Sequence, residues 1–160
     1  MITIIIIVIT SLISIRAFKD SELMSRLIFH PPAVKQGNGY RLFTYGVVHA
    51  DYTHLIFNMF TLYFFGPNIE RTFKSVLGQT SGSAFFILLY LSALLVSIIP
   101  TYFKKKDNAS YYSLGASGAV SAIIFAFVLI NPMNYMGVLF IPIMLPAFLF
   151  GLIFIIISMS

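Results

Sequence analysis

The sequence predicts an all-α membrane protein, a single small bundle of five transmembrane helices with no sheet. Two observations carry the membrane assignment. The 160 residues are 59% hydrophobic and 9% charged, with a mean hydropathy of +0.93, whereas soluble domains carry about 25% charged residues. The apolar residues are also gathered into runs of membrane-helix character, separated by Pro, Gly, Asn and lysine clusters. At this length the helices must share one domain, 1–160. Cysteine is absent, which excludes a disulfide framework, a thiolate metal site and a cysteine nucleophile. No metal site and no cofactor are expected. The net charge is +5, with the basic residues in loops beside apolar runs, so the expected partner is the lipid bilayer and its headgroups, not nucleic acid. Met1 runs straight into isoleucines with no basic n-region and no small-residue cleavage site, so the first helix is read as retained.

In chain order, the first span is the isoleucine-rich run 2–15, short against the roughly 20 residues a crossing needs. Residues 16–52 form a long mixed loop in which Leu23, Met24, Leu27 and Ile28 recur at helical spacing. That pattern predicts an amphipathic helix in the interface, followed by breaks at Pro31-Pro32 and Gly37-Asn38-Gly39. The second span covers about 52–70, with Asp51 or Thr53 as N-cap. Residues 71–82 read as a turn, and 84–103 as the third span, interrupted late by Pro100. The lysines at 104–106 and Tyr111-Tyr112 then mark an interface. The fourth span is 115–130, stopped by Asn131-Pro132 and carrying a small-residue row at Gly118, Ala122 and Ala126. Residues 133–145 connect to a fifth span, 146–159, opened by Pro146.

The polar residues within these apolar runs are the candidates for chemistry, because such groups near hydrocarbon are costly unless they pair or react. Ser117 lies in Ser113-Leu114-Gly115-Ala116-Ser117-Gly118, where a polar loop passes into the fourth helix. A serine near a helix N-terminus meets unpaired backbone donors and the positive end of the dipole, both of which favour an oxyanion. His54 and Asn58 are four apart, share one helix face and can supply further donors. Gly115 and Gly118 permit close approach of backbone or substrate. Taken singly, a GxxG at a helix start usually serves packing, and His or Asn in a membrane helix usually serves interhelical bonding.

In combination, His49-x4-His54-x3-Asn58, continuing to Gly66 and Glu70, together with Gly115-Ala116-Ser117-Gly118, resembles the rhomboid intramembrane serine proteases. Tyr40-Arg41 looks like the aromatic-Arg pair of that family's first loop, with Tyr in place of the usual Trp. The resemblance implies a six-helix rhomboid-like bundle with a water-accessible cavity open to the extracytoplasmic side. It also implies a multi-pass setting, the bacterial inner membrane, and single-span membrane proteins as substrates. By residue, it implies Ser117 as nucleophile, with His54, Asn58 and the Ser117 N–H as the oxyanion hole. Arg41 and Glu70 match positions that tie down loops, and His49 matches a motif position that is not the base.

The family's base is a histidine on a sixth helix, whereas the histidines here are His30, His49 and His54. The fifth run is still apolar at Ile155-Ile156-Ile157 when the sequence stops at Ser160, so five of the six helices are expected here, in a chain cut short. Two readings follow: a serine endopeptidase whose 160 residues alone are inactive, or a pseudoprotease that binds client helices without cutting. The loops 16–52 and 104–114 hold eight basic residues, which charge bias alone would place in the cytoplasm. The resemblance places those loops outside, and that orientation is the one expected.

Overall fold

The computed structural model describes residues 1–138 and 141–149. Helix α1 (Ile2–Ala17) is followed by three short helices, α2 (Ser21–Leu27), α3 (Pro31–Lys35) and α4 (Arg41–Thr44), the last running into a 3-10 turn, Tyr45–Val47. The long helices α5 (Tyr52–Leu77) and α6 (Gln79–Lys105) come next, then α7 (Ser117–Ile130). Helices α5, α6 and α7 pack against one another, α1 lies on α5, and α4 with its 3-10 turn wedges against α6 and α1. Leu62, Ile69, Phe86 and Ile123 form the fully buried centre, and Phe29 from the α2–α3 connection joins them.

The polarity of α1 is inverted relative to a helix on a soluble protein. Its buried residues are Thr3, Thr10, Ser14 and Ala17, while Ile4, Ile5, Val8, Ile9 and Leu12 face outward. Hydrocarbon dictates that arrangement, since small and polar side chains let helices approach and bond inside the bundle while branched apolar ones meet lipid. Helix α6 is the one described helix that is by itself long and apolar enough to cross a membrane; α1 and α7 are apolar but shorter. With 14 residues, α7 is roughly 21 Å long.

The four helices lie where the apolar runs predict, but their ends differ. The expected turn over 71–82 does not exist as such: α5 stays helical to Leu77 and α6 starts at Gln79. Polar side chains hold that extension together, with Lys74 Nζ 2.6 Å from Glu70 and Thr72 Oγ1 donating to the Asn68 carbonyl at 2.9 Å. The reversal falls on Gly78 alone, at φ +83°, a conformation side chains resist. Nor does Pro100 interrupt α6, which runs through it to Lys105. The face of α7 that packs is Ala119, Val120, Ile123, Ile124 and Val128. The small-residue row at Gly118, Ala122 and Ala126 flanks that face and is half-buried.

The connector after α7 also differs from the expectation of no sheet. Strands β1 (Tyr135–Val138) and β2 (Ile141–Pro146) form an antiparallel hairpin with Tyr135 opposite Pro146 and Met136 opposite Leu145. Gly137, Pro142 and Pro146 deny this stretch a helix, and an extended backbone then needs a partner for its amides. Pro146 therefore ends a strand instead of opening the fifth span. Residues 147–149 are helical, and the rest of the expected span 146–159 lies outside the described residues. The all-α class stands, with this hairpin as its one addition among the described residues.

Candidate active site

Ser117 is the first residue of α7, and it is exposed. The first-turn amides of any helix lack intrahelical partners and point out of its N-terminus; here they open beside the Ser117 hydroxyl, which makes no hydrogen bond among the described residues. Gly115, two positions earlier, has φ +112°. A Cβ there would lie 2.6 Å from Cε1 and 2.9 Å from Nε2 of His54, so the imidazole rests directly on the Gly115 backbone. A side chain at 115 would be strained by its φ and driven into that ring.

His54 is carried by the first turn of α5, which Asp51 caps through a 2.8 Å bond from the His54 backbone N–H. Neither ring nitrogen of His54 is hydrogen-bonded among the described residues. Asn58, one turn further on and 6% exposed, donates from Nδ2 to the His54 carbonyl at 2.9 Å. That uses one of its two amide hydrogens and leaves the other. The structure thus brings His54 to the loop that delivers Ser117, with Asn58 tied beneath it.

His49 is fully buried and bonded on both sides. Ser14 Oγ donates to the Val47 carbonyl at 2.9 Å, so its contact with His49 Nδ1 at 3.0 Å must be accepted from the ring. That assigns the proton to Nδ1 and leaves Nε2 to accept from the Ala116 N–H, at 3.4 Å. A second proton on Nε2 would face a donor. Burial, with the nearby His54 second, pushes the His49 pKa down from 6.5 to about 4. His49 is therefore a neutral tie between α1 and the residue preceding Ser117.

A pH dependence follows. The unfolded state binds this proton near pH 6.5 and the folded state only near pH 4, so stability is complete above pH 6.5 and falls as the pH drops between them. The full loss is about 3 kcal/mol. Thermal unfolding in detergent between pH 7.5 and 4 should show the decline, and His49→Gln should flatten it.

The remaining candidates sit elsewhere and hold structure. Arg41 Nη1 donates to the carbonyls of Ser25 and Ile28, at 2.7 Å each, pinning the end of α2. Glu70 is 0% exposed and accepts from Ile2 N at 2.9 Å, Thr3 N at 2.9 Å and Thr3 Oγ1 at 2.8 Å. It supplies from α5 the cap that α1 lacks of its own. By helical rise Glu70 is about 24 Å along α5 from His54, far from Ser117. At Gly118 a Cβ would overlap Ser97 Oγ, which is how α6 and α7 close on each other beside the site.

Sequence reasoning missed Tyr45 and Ser14. Tyr45 accepts from Gly115 N at 2.9 Å through its carbonyl, and its hydroxyl reaches Leu94 O at 2.7 Å and Ser97 at 3.0 Å. Ser14 is one of four hydroxyl residues in the isoleucine-rich run, with Thr3, Thr10 and Ser11, and a hydroxyl in an apolar run is a signal of inward bonding.

The Rhomboid domain model matches residues 36–160. The chain belongs to the rhomboid family. This rhomboid is 30% identical over 145 residues to "RHOMBOID-like protein 12, mitochondrial" of Arabidopsis thaliana, covering 86% of the chain and 43% of that protein. It is 34% identical over 87 residues to "Putative rhomboid protease YdcA" of Bacillus subtilis, covering 54% of the chain and 39% of that protein. "Rhomboid protease GluP" of the same organism matches equally over 87 residues, 15% of its length. The chain spans less than half the length of each of these relatives. Rhomboid membership makes it an integral membrane protein, in agreement with the outward isoleucines of α1.

Proposed function

We propose that this rhomboid is an intramembrane serine endopeptidase that cleaves transmembrane segments of single-span membrane proteins. The observation that carries the reading is the pairing of an accessible, unbonded Ser117 hydroxyl at the first turn of α7 with the His54 ring against Gly115. Ser117 Oγ attacks the scissile carbonyl carbon as its proton passes to a base, and the carbonyl oxygen becomes an oxyanion. The Ser117 N–H, a His54 ring N–H and the second amide hydrogen of Asn58 are the donors assigned to it. Collapse of the intermediate expels the amine, and water then releases the acyl group by the same route.

The base we assign is the sixth-helix histidine that the family resemblance implies, outside these 160 residues. His49 is committed to Ser14 and Ala116, and His30 Nε2 is 3.1 Å from the Ala109 carbonyl. His54 is assigned to the oxyanion. Of the bacterial and mitochondrial settings of the relatives, we assign the bacterial plasma membrane, with the bilayer as the protein's second partner.

The test uses full-length protein in liposomes with a model single-span substrate, alongside fluorophosphonate labelling of Ser117. Cleavage and labelling that both vanish in Ser117→Ala are expected. Substrate co-purification without cleavage or labelling would overturn the enzymatic reading in favour of a non-catalytic holder of client helices. Residues 1–160 alone should bind substrate and cut it hardly at all.

A further inference from the structure

The stretch from Lys106 to Ala116 has no helix of its own, yet it must deliver Ser117 in one fixed orientation. Apart from bonds to the adjoining ends of α6 and α7, its hydrogen bonds to the rest of the fold come, among the described residues, from the connection between α2 and α5. Phe29 N donates to Ser113 O at 2.9 Å and Ser113 N to Phe29 O at 3.1 Å, an isolated antiparallel bridge. Phe29 itself is fully buried, with its ring edge-on to Tyr45 at 6.1 Å. Tyr45 in turn accepts from Gly115 N. Next to Phe29, the His30 ring stacks on Tyr112, with centroids 4.6 Å apart and planes 12° from parallel, and its Nε2 donates to Ala109 O. At the rim Lys35 Nζ meets Asp107 at 2.6 Å, an exposed contact that contributes little by itself.

We propose that His30 is a positioning residue for Ser117, latching the 109–113 segment to the buried Phe29 anchor so that Gly115 and Ser117 are held in register with His54. The role rests on the enzymatic reading above. His30 touches neither Ser117 nor any oxyanion donor; it acts through Ala109, Tyr112 and the bridge at Ser113. The amide–carbonyl bridge alone is two bonds long, and a short extended pair without further contacts is marginal. The stack and the His30–Ala109 bond lie on the same side of Ser113 and stop the segment from peeling away from Phe29.

The test compares full-length wild type with His30→Ala, His30→Phe, which keeps a ring on Tyr112, and His30→Gln, which keeps a donor. His30 is only half-buried, so folding should survive, and the melting temperature is read for each variant. Amide hydrogen exchange at Ser113, Gly115 and Ala116 should speed up about tenfold in His30→Ala while α6 is unchanged. Turnover should fall about tenfold with KM within about twofold, since small misplacement of a reacting group is costly. His30→Phe and His30→Gln should each recover part of both.

Unchanged exchange in a folded His30→Ala protein would overturn the latch. Faster exchange with unchanged Ser117-dependent turnover would overturn its positioning role. A wild type without Ser117-dependent cleavage would instead defeat the enzymatic reading, and that result is seen before any His30 variant is compared.

Discussion

Ser117→Ala is expected to abolish cleavage of a single-span substrate by the full-length protein, while Asn58→Ala leaves a measurable remnant. The difference is chemical. Without the hydroxyl no acyl-enzyme can form, and what remains is the small acceleration from binding and oxyanion donors. On the proposed mechanism, removing the Asn58 amide leaves the nucleophile intact and takes away one oxyanion donor, which typically lowers turnover by about 10²–10³. Asn58 also donates to the His54 carbonyl, so Asn58→Ala should move turnover far more than KM if its role is in the transition state. Initial rates over a range of substrate concentrations separate the two effects. Equal residual rates for Ser117→Ala and wild type would remove Ser117 from the mechanism.

Among substitutions, the largest stability effect is expected at Glu70. In Glu70→Ala the backbone N–H groups of Ile2 and Thr3 and the Thr3 hydroxyl lose their acceptor, and Lys74 loses the carboxylate 2.6 Å away. Removing one member of a buried ion pair costs about 3–5 kcal/mol. The low end is expected, because Lys74 keeps some contact with water, 20% of its side chain being exposed. Glu70→Gln should cost less than half as much, since its carbonyl can still accept at α1. Thermal unfolding in detergent reads both variants, and a loss below about 0.5 kcal/mol in Glu70→Ala would show that the α1 start needs no cap from α5. Because Glu70 is remote from Ser117, whatever protein remains folded should label with fluorophosphonate at the wild-type rate.

The membrane helices were legible because lipid imposes a coarse rule, and runs of Ile, Leu and Phe between breakers reveal it. What failed was finer. Residues 71–77 read as a turn because they are polar, but a helix leaving a membrane is polar by necessity, and Lys74 reaching back to Glu70 keeps it wound. The three short helices between α1 and α5 gave one visible apolar repeat, around Leu23 to Ile28, while α3 and α4 are too brief to show any period. At the site, Ser117, His54 and Asn58 stood out as polar groups in apolar surroundings. The Nδ1 and Nε2 partners of His49 could not be read, since they join Ser14 and Ala116 from opposite ends of the chain. Nor could His30, since nothing in the sequence between Phe29 and Pro31 points to Ala109 or Tyr112, about 80 residues on.

The single-glycine joint between α5 and α6 has a mechanical consequence. Two helices of 26 and 27 residues meeting at Gly78, with Gly82 seated on the Phe73–Lys74 backbone, have no slack with which to tilt separately. In bilayers of different acyl-chain length they must lean as one beam. Helix α7 enters through the long 106–116 stretch, which is tied to Phe29 and Tyr45 and not to the Gly78 joint. Membrane thickness would then be felt where the beam and α7 meet, at the contact of His54 with Gly115.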